Sequence, residues 1–294
     1  MFAFVIGACT SMLCGYLGMA IATTANYKTT YLCNISKFDG FKVAFQGGQV
    51  LGFCLVGFAL LILEIMILTY KAALKPGSLN GELVNDAIVM LEVEHLFEFI
   101  SGFGLGGSTV ALFGRVGGGI YTKAADVGSD LAGKVDAALP EDSPKNPGTI
   151  ADNVGDNVGD IAGMGADLFG SLAEATCAAL IVSSTSEHMV GTPDAIYFPL
   201  IVTAIGIIAS FFCQFFAYIK VESVETQLKI QLWVSTLLMS VGMIPALYVL
   251  PDEGINIAFA GNDYVGTRWE CYICIMLGLW SGLFIGLITE YYTS

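Results

Sequence analysis

Five carboxylates share one face of an apolar stretch that runs from Ile150 to Glu174. They are Asp152, Asp156, Asp160, Asp167 and Glu174, within IADNVGDNVGDIAGMGADLFGSLAE. At about 100° per residue, an α-helix places all of them within a quarter-turn, along a stripe ~33 Å long. Ionisable groups at membrane depth are costly, and by default they mark a metal, substrate or ion pathway. We interpret the stripe as a cation-binding helix. The alternative is a soluble helix with a solvated acidic face, in which carboxylates four residues apart repel one another.

A second charged face precedes this helix, in GGGIYTKAADVGSDLAGKV. Helical geometry places Lys123, Asp126, Asp130 and Lys134 on one side of the segment. Salt bridges between residues three or four apart are one explanation. The other is a binding site, because carboxylates on two facing helices can hold Mg²⁺ ions that bridge to phosphate oxygens, while lysines meet the phosphate directly. Together, the two faces favour a polyphosphate substrate, with Asp160 as the residue that orients an attacking water.

Deeper along the first stripe, Asp167 and Glu174 lie too far from Asp152 to share its metal cluster. Buried carboxylates at that depth can carry protons, or pair with a base such as Arg115. A hydrogen bond between helices is the structural alternative. The run from Gly102 to Gly107 fits a dinucleotide-binding pattern, but no predicted strand precedes it. We interpret its small residues as helix-packing contacts.

The composition is that of a polytopic membrane protein. Of 294 residues, 55% are hydrophobic and 13% are charged, and the mean hydropathy is +0.72. Soluble domains average about 25% charged residues. The net charge of −14 argues against nucleic-acid binding. Seven apolar segments are long enough to span a membrane, which predicts an all-α fold. We place them at 1–26, 46–70, 88–116, 147–186, 195–219, 227–250 and 269–292.

Basic residues are distributed unequally over the connections between these segments. One side of the membrane receives Lys28, Lys37, Lys42, Lys123, Lys134, Lys145, Lys220 and Lys229. The other side receives Lys71, Lys75 and Arg268. The positive-inside rule then places the 117–147 connection in the cytosol. The charged faces are expected to open to the cytosol, and residues Asp252–Asp263 to face away from it.

Three stretches closely resemble the membrane-bound, ion-translocating inorganic pyrophosphatases. They are GRVGGGIYTKAADVGSDLAGKV, PEDSPKNPGTIADNVGDNVGDIAGMGADLFGS and LWSGLFIGLITEYYTS, and the resemblance covers essentially the whole chain. It implies a homodimer whose subunits each have about sixteen membrane-spanning helices. It also implies hydrolysis of Mg-complexed pyrophosphate on the cytosolic side, coupled to movement of H⁺ or Na⁺. Mg²⁺ is then the cofactor and K⁺ an optional activator.

The resemblance implies a role for individual residues. Lys123, Lys134 and Asp160 would be catalytic, with Asp160 as one of two aspartates that activate the nucleophilic water. The substrate- and metal-binding residues would be Asp126, Asp130, Glu141, Asp152 and Asp156, and the Mg²⁺ ligands would be Asp126, Asp130, Asp152, Asp156 and Asp160. The coupling funnel and ion gate would be Arg115, Asp167 and Glu174. Ser129 and Gly148 stand where the family usually has Ala, and Lys145 where it often has Arg.

Length is the main departure from the family. Residues 1–294 are treated as one partial domain that contains the Asp-rich catalytic helix 147–186 and resembles the third to ninth spans of the family. The second water-activating aspartate and the gate lysine would belong to later helices, so a fragment or a split subunit is expected. Two other classes stay open: a non-catalytic membrane protein that binds metal or phosphate, and a phosphate or metal transporter.

The position of the gate carboxylate bears on the transported ion. In the family that the chain resembles, the gate glutamate lies one or two helical turns beyond the aspartate matched by Asp167. Here Gly170 occupies the nearer position, and the acid is Glu174, ~10 Å along the helix from Asp167. Na⁺ needs several converging oxygens, whereas a lone buried carboxylate suits a proton. We expect this protein to lie in the membrane of a vacuole or another acidic organelle and to transport H⁺ into a vacuole-like lumen. The alternative is a Na⁺ pump.

Overall fold

The structure is a computed structural model that describes residues 1–74, 86–136, 138–139, 143–192, 194–218, 224–259 and 262–293. The chain divides into two compact units. Unit 1 comprises Met1–Ile67 and Phe99–Cys177, and unit 2 comprises Leu68–Glu98 and Ala178–Ser294. The two charged faces predicted from the sequence belong to unit 1.

Ten α-helices lie in the described ranges. They are α1 (Phe2–Cys33), α2 (Lys37–Leu74), α3 (Asp86–Val116), α4 (Thr122–Leu131), α5 (Pro147–Asp156), α6 (Met164–Ser184), α7 (Glu187–Gly191), α8 (Phe198–Cys213), α9 (Val224–Ala246) and α10 (Arg268–Thr293). Seven helical stretches are long and apolar enough to cross a membrane. The prediction of an all-α chain with seven spans is therefore confirmed.

The third span is longer than predicted. Its helical stretch runs from Leu91 to Val135, whereas the sequence predicted an end at residue 116. A π-helical turn at Gly117–Tyr121 connects α3 to α4, and a second one, Ala132–Asp136, follows α4. Three successive glycines weaken a helix in isolation, but helix propensity is routinely overridden by tertiary packing. The lysine and aspartate residues expected in a connection thus lie on a helical extension of the third span.

The fourth span, Pro147–Ser184, is not a regular α-helix. Residues Asn157–Gly163 form a π-helical turn between α5 and α6. A π turn closes its hydrogen bonds five residues apart rather than four, so it contains one more residue than an α turn. The acids after this turn are consequently offset around the helix axis from those before it. The regular spacing assumed for a single stripe is therefore interrupted between Asp156 and Asp167.

Close contacts between small residues hold unit 1 together. A Cβ added at Gly104 would lie 2.8 Å from Cα of Glu174, and one added at Gly106 would overlap the backbone carbonyl oxygen of Phe4. Such separations allow only glycine, because its backbone can approach another helix without a side chain between them. The interpretation of the Gly102–Gly107 run as helix-packing contacts is confirmed.

Unit 2 contains an element that the sequence did not predict. Strands β1 (Ile255–Phe259) and β2 (Asn262–Gly266) form an antiparallel hairpin between α9 and α10. The helices of unit 2 pack around a buried cluster made of Met189, Ala195, Phe198, Met243, Ala246, Leu247 and Leu250. The hairpin is an addition within a connection, and the helical class of the fold is unchanged.

A capping box begins α10 immediately after the hairpin. The backbone nitrogen of Thr267 donates to Oε2 of Glu270 over 2.7 Å, and the backbone nitrogen of Glu270 donates to Oγ1 of Thr267 over 3.3 Å. This reciprocal pattern satisfies two backbone donors that a helix start otherwise leaves unpaired. The hydroxyl of Tyr264 donates to Oε1 of Glu270 over 3.1 Å, and this bond raises the pKa of Tyr264.

Candidate functional site

The predicted site residues lie on two antiparallel helical stretches of unit 1, one before and one after residues 137–146. Backbone contacts pair Ser108 with Gly170 and Arg115 with Gly163, and the side chain of Thr122 packs against Gly155. A Cβ at Gly163 would lie 2.9 Å from Cα of Arg115, and a Cβ at Gly170 would lie 2.9 Å from Cα of Ser108. Residue numbers rise along one stretch as they fall along the other. The antiparallel register therefore brings the Lys/Asp segment of α4 beside the Asp residues of α5.

The closest contact between the two charged faces is an ion pair. Nζ of Lys123 on α4 lies 3.5 Å from Oδ1 of Asp156 on α5, with 65% and 44% of the two side chains exposed. Asp152 and Asp126 are also near enough for their charges to act on the Lys123 ammonium. The ammonium thus lies among carboxylates from both helices. The sequence predicted that these two faces meet, and the structure brings them together at this point.

Lys134 forms an ion pair within its own helical stretch. Its Nζ lies 3.9 Å from Oδ2 of Asp130, four residues earlier. This is the intrahelical salt bridge weighed as an explanation of the second charged face. Both explanations of the second charged face therefore apply: Lys123 forms an ion pair between the two helices, and Lys134 forms one within a single helical stretch.

A metal ion would need ligands from more than these side chains alone. Within the described ranges, no three His, Cys, Asp or Glu side chains converge closely enough to hold an ion. Mg²⁺ is usually bound through only one or two carboxylates, and waters and substrate phosphates complete its coordination. The paired carboxylates on α4 and α5 match that chemistry. Glu141, expected among the binding residues, lies outside the described residues.

A hydrogen-bonded cap fixes the start of α5 against α4. Oδ1 of Asn146 accepts from the backbone nitrogen of Gly148 over 3.0 Å, and its Nδ2 donates to Oγ of Ser129 over 2.8 Å. Pro147 at the first helical position needs no hydrogen-bond partner for its nitrogen. The cap thus ties the end of α4 to the first turn of the Asp-bearing helix.

Two of the three π turns described above, Gly117–Tyr121 and Asn157–Gly163, meet beside the ion pair. Gly118 and Gly159 pack backbone to backbone, since a Cβ built on either one would overlap the other residue. Asp160, the residue predicted to orient water, is exposed within the same π turn as Gly159. π turns inside α-helices occur frequently at functional sites. Here the paired turns lie on the side of the Lys123–Asp156 ion pair that leads toward Arg115 and Gly163.

A chain of amides ties α1 to the start of the π turn. Nδ2 of Asn26 donates to Oδ1 of Asn157 over 3.4 Å, and Nδ2 of Asn157 donates to the carbonyl of Asn153 over 2.8 Å. Asn153 and Asn157 each directly follow an Asp of the predicted site. The amides therefore hold the backbone that carries Asp152 and Asp156.

The three residues predicted to form the funnel and gate are separate from one another. Arg115 is exposed, whereas Asp167 and Glu174 are partly buried on α6. In the part of the chain that the structure describes, none of the three forms an ion pair within 4.0 Å. The backbone of Arg115 contacts Gly163, and the backbone of Glu174 contacts Gly104. The expected pairing of a deep carboxylate with Arg115 is not seen among the described residues.

Comparison with known proteins identifies the chain's relatives. The family model for inorganic H+ pyrophosphatase matches residues 1–294. The chain belongs to this family. A putative K(+)-stimulated pyrophosphate-energized sodium pump of Clostridium tetani is 38% identical over 292 residues, which are 99% of this chain and 37% of that protein. A K(+)-insensitive pyrophosphate-energized proton pump of Methanosarcina mazei is 36% identical over 292 residues, with the same two shares.

A third relative is a K(+)-stimulated pyrophosphate-energized sodium pump of Thermotoga maritima. It is 37% identical over 320 residues, which cover 99% of this chain and 42% of that protein. The chain therefore spans about two fifths of the length of these relatives. The family relationship and the multi-pass membrane character are established. The relatives named here come from bacteria and an archaeon and include pumps for both ions.

The sequence did not predict the structural role of three asparagine side chains in this inorganic H+ pyrophosphatase chain. Asn26, Asn146 and Asn157 position the charged helices without carrying charge themselves. A partial signal was present, because Asn followed by Pro is typical of a helix start, where Asn caps and Pro occupies the first turn. The partner of Asn157 lies 131 positions away on α1. No local pattern predicts a contact at that separation.

Proposed function

We propose that the complete protein hydrolyses Mg-complexed pyrophosphate and couples the reaction to proton transport across a membrane. The observation that carries the proposal is the Lys123–Asp156 contact of 3.5 Å between α4 and α5, with Asp126 and Asp152 close enough to act on Lys123. The Lys123 ammonium presents positive charge directly, and the carboxylate oxygens around it can bind metal cations that add further positive charge. That combination suits a small ligand with several negative charges.

In this proposal, each charged residue has a separate task. Lys123 and Lys134 neutralise phosphate oxygens, and Asp126, Asp130, Asp152, Asp156 and Asp160 supply the metal-ligating oxygens. Mg²⁺, when bound, withdraws charge from the phosphate oxygens and favours departure of the leaving phosphate. Asp160 accepts a proton from the attacking water as the water oxygen bonds to phosphorus. The bridging P–O bond breaks, and the two products are phosphate ions.

The deep acids serve ion transport in this proposal. Asp167 and Glu174 lie on α6, beyond the π turn that carries Asp160. Because the π turn is continuous with both α5 and α6, a change in its register rotates the acids of α5 relative to the acids of α6. Arg115 packs against Gly163, and position 163 lies between Asp160 and Asp167 on the neighbouring helical stretch. We assign the three residues to the ion path.

The transported ion, the activator and the cellular membrane are finer parts of the proposal. Two of the relatives are called sodium pumps and one a proton pump, and the sodium pumps are called K(+)-stimulated. We assign H⁺ to this protein because Gly170 has no carboxylate and the gate acid is Glu174, two helical turns beyond Asp167, and we retain K⁺ as an optional activator. A homodimer with the site on the cytosolic face of an acidic-organelle membrane completes the proposal.

The direct test measures phosphate release from pyrophosphate in membranes that contain the complete protein. Release should require Mg²⁺, and it should be lost in Lys123→Ala but preserved in Lys71→Ala, whose lysine is at the end of α2. A sealed-vesicle assay then separates the ions. Acidification without added Na⁺ supports a proton pump, whereas transport that occurs only with Na⁺ supports a sodium pump.

A non-catalytic protein that only binds metal and phosphate is distinguishable by the same preparation. It would bind Mg-pyrophosphate without releasing phosphate, even in membranes of the complete protein. A phosphate or metal transporter would accumulate its cargo without consuming pyrophosphate. Hydrolysis that depends on Lys123 contradicts both alternatives.

A further inference from the structure

A polar cavity in unit 2 lies outside the charged cluster described above. It has a volume of about 550 Å³ and is lined mainly by α7, by the turn before β1 and by the first residue of α10. Its carboxylate, imidazole and guanidinium side chains are those of Glu187, His188, Asp252, Glu253 and Arg268. Three carboxylates thus face one guanidinium and one imidazole, so the cavity has an excess of negative charge when the imidazole is neutral.

The imidazole of His188 is held with one nitrogen directed into this cavity. Nδ1 lies 3.0 Å from the carbonyl oxygen of Gly254, an acceptor, so Nδ1 carries the proton in the neutral ring. Nε2 then has a free lone pair. Metal-ligating histidines characteristically donate their other ring N–H to a carbonyl or carboxylate in this manner. The next residue, Met189, is buried in the core cluster of unit 2, which anchors the backbone that carries the ring.

The carbonyl that orients His188 is itself fixed by the turn. Gly254 has a φ of +91°, and a Cβ at this position would lie 2.8 Å from the carbonyl oxygen of Gly266. The left-handed conformation and the close approach both require glycine. Its backbone nitrogen also donates to the carbonyl of Pro251 over 3.3 Å. The direction of the Gly254 carbonyl is therefore determined before any ligand binds.

Glu253 supplies a second ligand opposite the free nitrogen. Nε2 of His188 lies 4.0 Å from Oε2 of Glu253. This separation exceeds a direct N–H···O hydrogen bond, for which about 2.7–3.2 Å is usual. Tetrahedral Zn²⁺ takes nitrogen and oxygen ligands at about 2.0–2.2 Å, which places two ligand atoms about 3.4 Å apart, so the Glu253 carboxylate must move toward Nε2 to share an ion with it. The Glu253 side chain is 83% exposed and can close on the ion without disturbing the core.

The only guanidinium lining the cavity does not oppose a bound cation. Arg268 forms an ion pair with Asp252, and its Nε donates to the carbonyl of Pro251 over 3.3 Å. Its charge is thus balanced locally, while Glu187 and Glu253 are left to favour a cation. We propose that His188 and Glu253 bind one divalent transition-metal ion of the Zn²⁺ class between α7 and the turn before β1. Water fills the remaining coordination positions.

The nitrogen ligand determines the class of metal. Imidazole suits Zn²⁺ and its neighbours, whereas Mg²⁺ and Ca²⁺ prefer oxygen ligands only. The site is therefore chemically distinct from the carboxylate cluster on α4 and α5. On the topology expected from the basic residues, it faces away from the cytosol. It does not depend on pyrophosphate hydrolysis, so the two proposals can fail separately.

The test is calorimetric titration of the complete protein with Zn²⁺ in excess Mg²⁺, which keeps the oxygen-ligand cluster filled. We expect saturable binding of one ion per chain that His188→Gln weakens on the order of 100-fold. Glu253→Gln should also weaken it. His95→Gln, which removes the other histidine of the chain, should leave it unchanged.

Two results would overturn the proposal. The first is Zn²⁺ binding of equal strength in wild type and His188→Gln. The second is no saturable binding in wild type, which would mean that only a water bridges His188 and Glu253. If His188→Gln lowers the thermal unfolding midpoint, Glu253→Gln decides the outcome, because that side chain is largely exposed. Unchanged binding in a folded Glu253→Gln protein also contradicts the site.

Discussion

Ser129 of α4 lies directly against Gly148 in the first turn of α5. A Cβ at position 148 would overlap the Ser129 side chain and would also lie 3.1 Å from Oδ1 of the cap residue Asn146. Ser129 in turn accepts a hydrogen bond of 2.8 Å from Asn146. The larger residue on one helix is therefore accommodated by the smaller residue on the other.

This contact predicts a compensating pair of substitutions. Gly148→Ala should lower the free energy of unfolding of the chain by about 1–3 kcal/mol, because it overpacks the junction of α4 and α5. Ser129→Ala combined with Gly148→Ala should recover part of that loss, since it removes the Ser129 hydroxyl, the atom that the new methyl group would meet most closely. Thermal unfolding in detergent, followed by helical circular dichroism, measures both.

Gly128→Ala is the matched control for that pair. Gly128 lies next to Ser129 on α4, and a Cβ there meets nothing within 4 Å. Alanine should stabilise this position by up to about 1 kcal/mol, because glycine is the poorer helix former. If the effects of Ser129→Ala and Gly148→Ala on the free energy of unfolding simply add in the double variant, the proposed contact between the two residues is contradicted.

The ion pair between α4 and α5 predicts the effect of neutralising its carboxylate. Asp156→Asn should weaken Mg-dependent pyrophosphate binding to the complete protein by at least ~1.5 kcal/mol, the scale of a lost charged contact. Asp152→Asn should have a similar effect, because Asp152 also acts on Lys123. Equilibrium binding at fixed Mg²⁺ measures both changes.

An exposed aspartate elsewhere provides the control for these two variants. Asp39→Asn changes the net charge by the same amount at the exposed start of α2 and should leave binding unchanged. If neither Asp152→Asn nor Asp156→Asn weakens binding, the assignment of these residues to the metal and substrate site is wrong.

The sequence predicted the membrane spans and the meeting of the charged faces because both depend on strong local patterns. Apolar length determines the spans, and the spacing of Lys123, Asp152 and Asp156 determines which side of each helix is charged. The family relationship was likewise carried by contiguous motifs. These features need no knowledge of contacts between distant residues.

The π turns and the β-hairpin could not be predicted for the opposite reason. An ideal helix projection assumes a constant turn, so it cannot include the extra residue between Asn157 and Gly163. The contact of Gly118 with Gly159 that accompanies the π turns joins residues on separate helices. The β-hairpin lies in a connection without an extended alternating pattern. The pairing of Asn26 with Asn157 depends on how α1 packs.

The distribution of basic residues predicts which connections face the cytosol. Lys145→Cys and Glu253→Cys, in a background without the native cysteines, place single thiols at exposed positions of two connections. A membrane-impermeant maleimide applied to the cytosolic side should label position 145 but not 253. Labelling of position 253 from the cytosol would mean that the positive-inside rule misassigned the orientation.

The structure explains why position 170, one turn after Asp167, carries glycine rather than an acid. A Cβ at Gly170 would lie 2.9 Å from both Cα and the backbone nitrogen of Ser108, so a glutamate there would force the two helices apart. Glu174 has room for its side chain because Gly104 faces its backbone. Asp167 and Glu174 are thus separated by two turns of α6. A single cage of converging oxygens for Na⁺ is not formed by this pair alone.

We therefore predict that pyrophosphate acidifies vesicles containing the complete protein without added Na⁺, and that Glu174→Gln abolishes acidification. A partly buried carboxylate can take up and release a proton, whereas the amide cannot. Moving the acid by one turn, with Gly170→Glu in the Glu174→Gln background, should not restore transport, because Ser108 occupies the space. A dye that reports lumenal pH measures all three proteins. Strictly Na⁺-dependent pyrophosphate turnover with no acidification would show that the isolated gate carboxylate does not select protons.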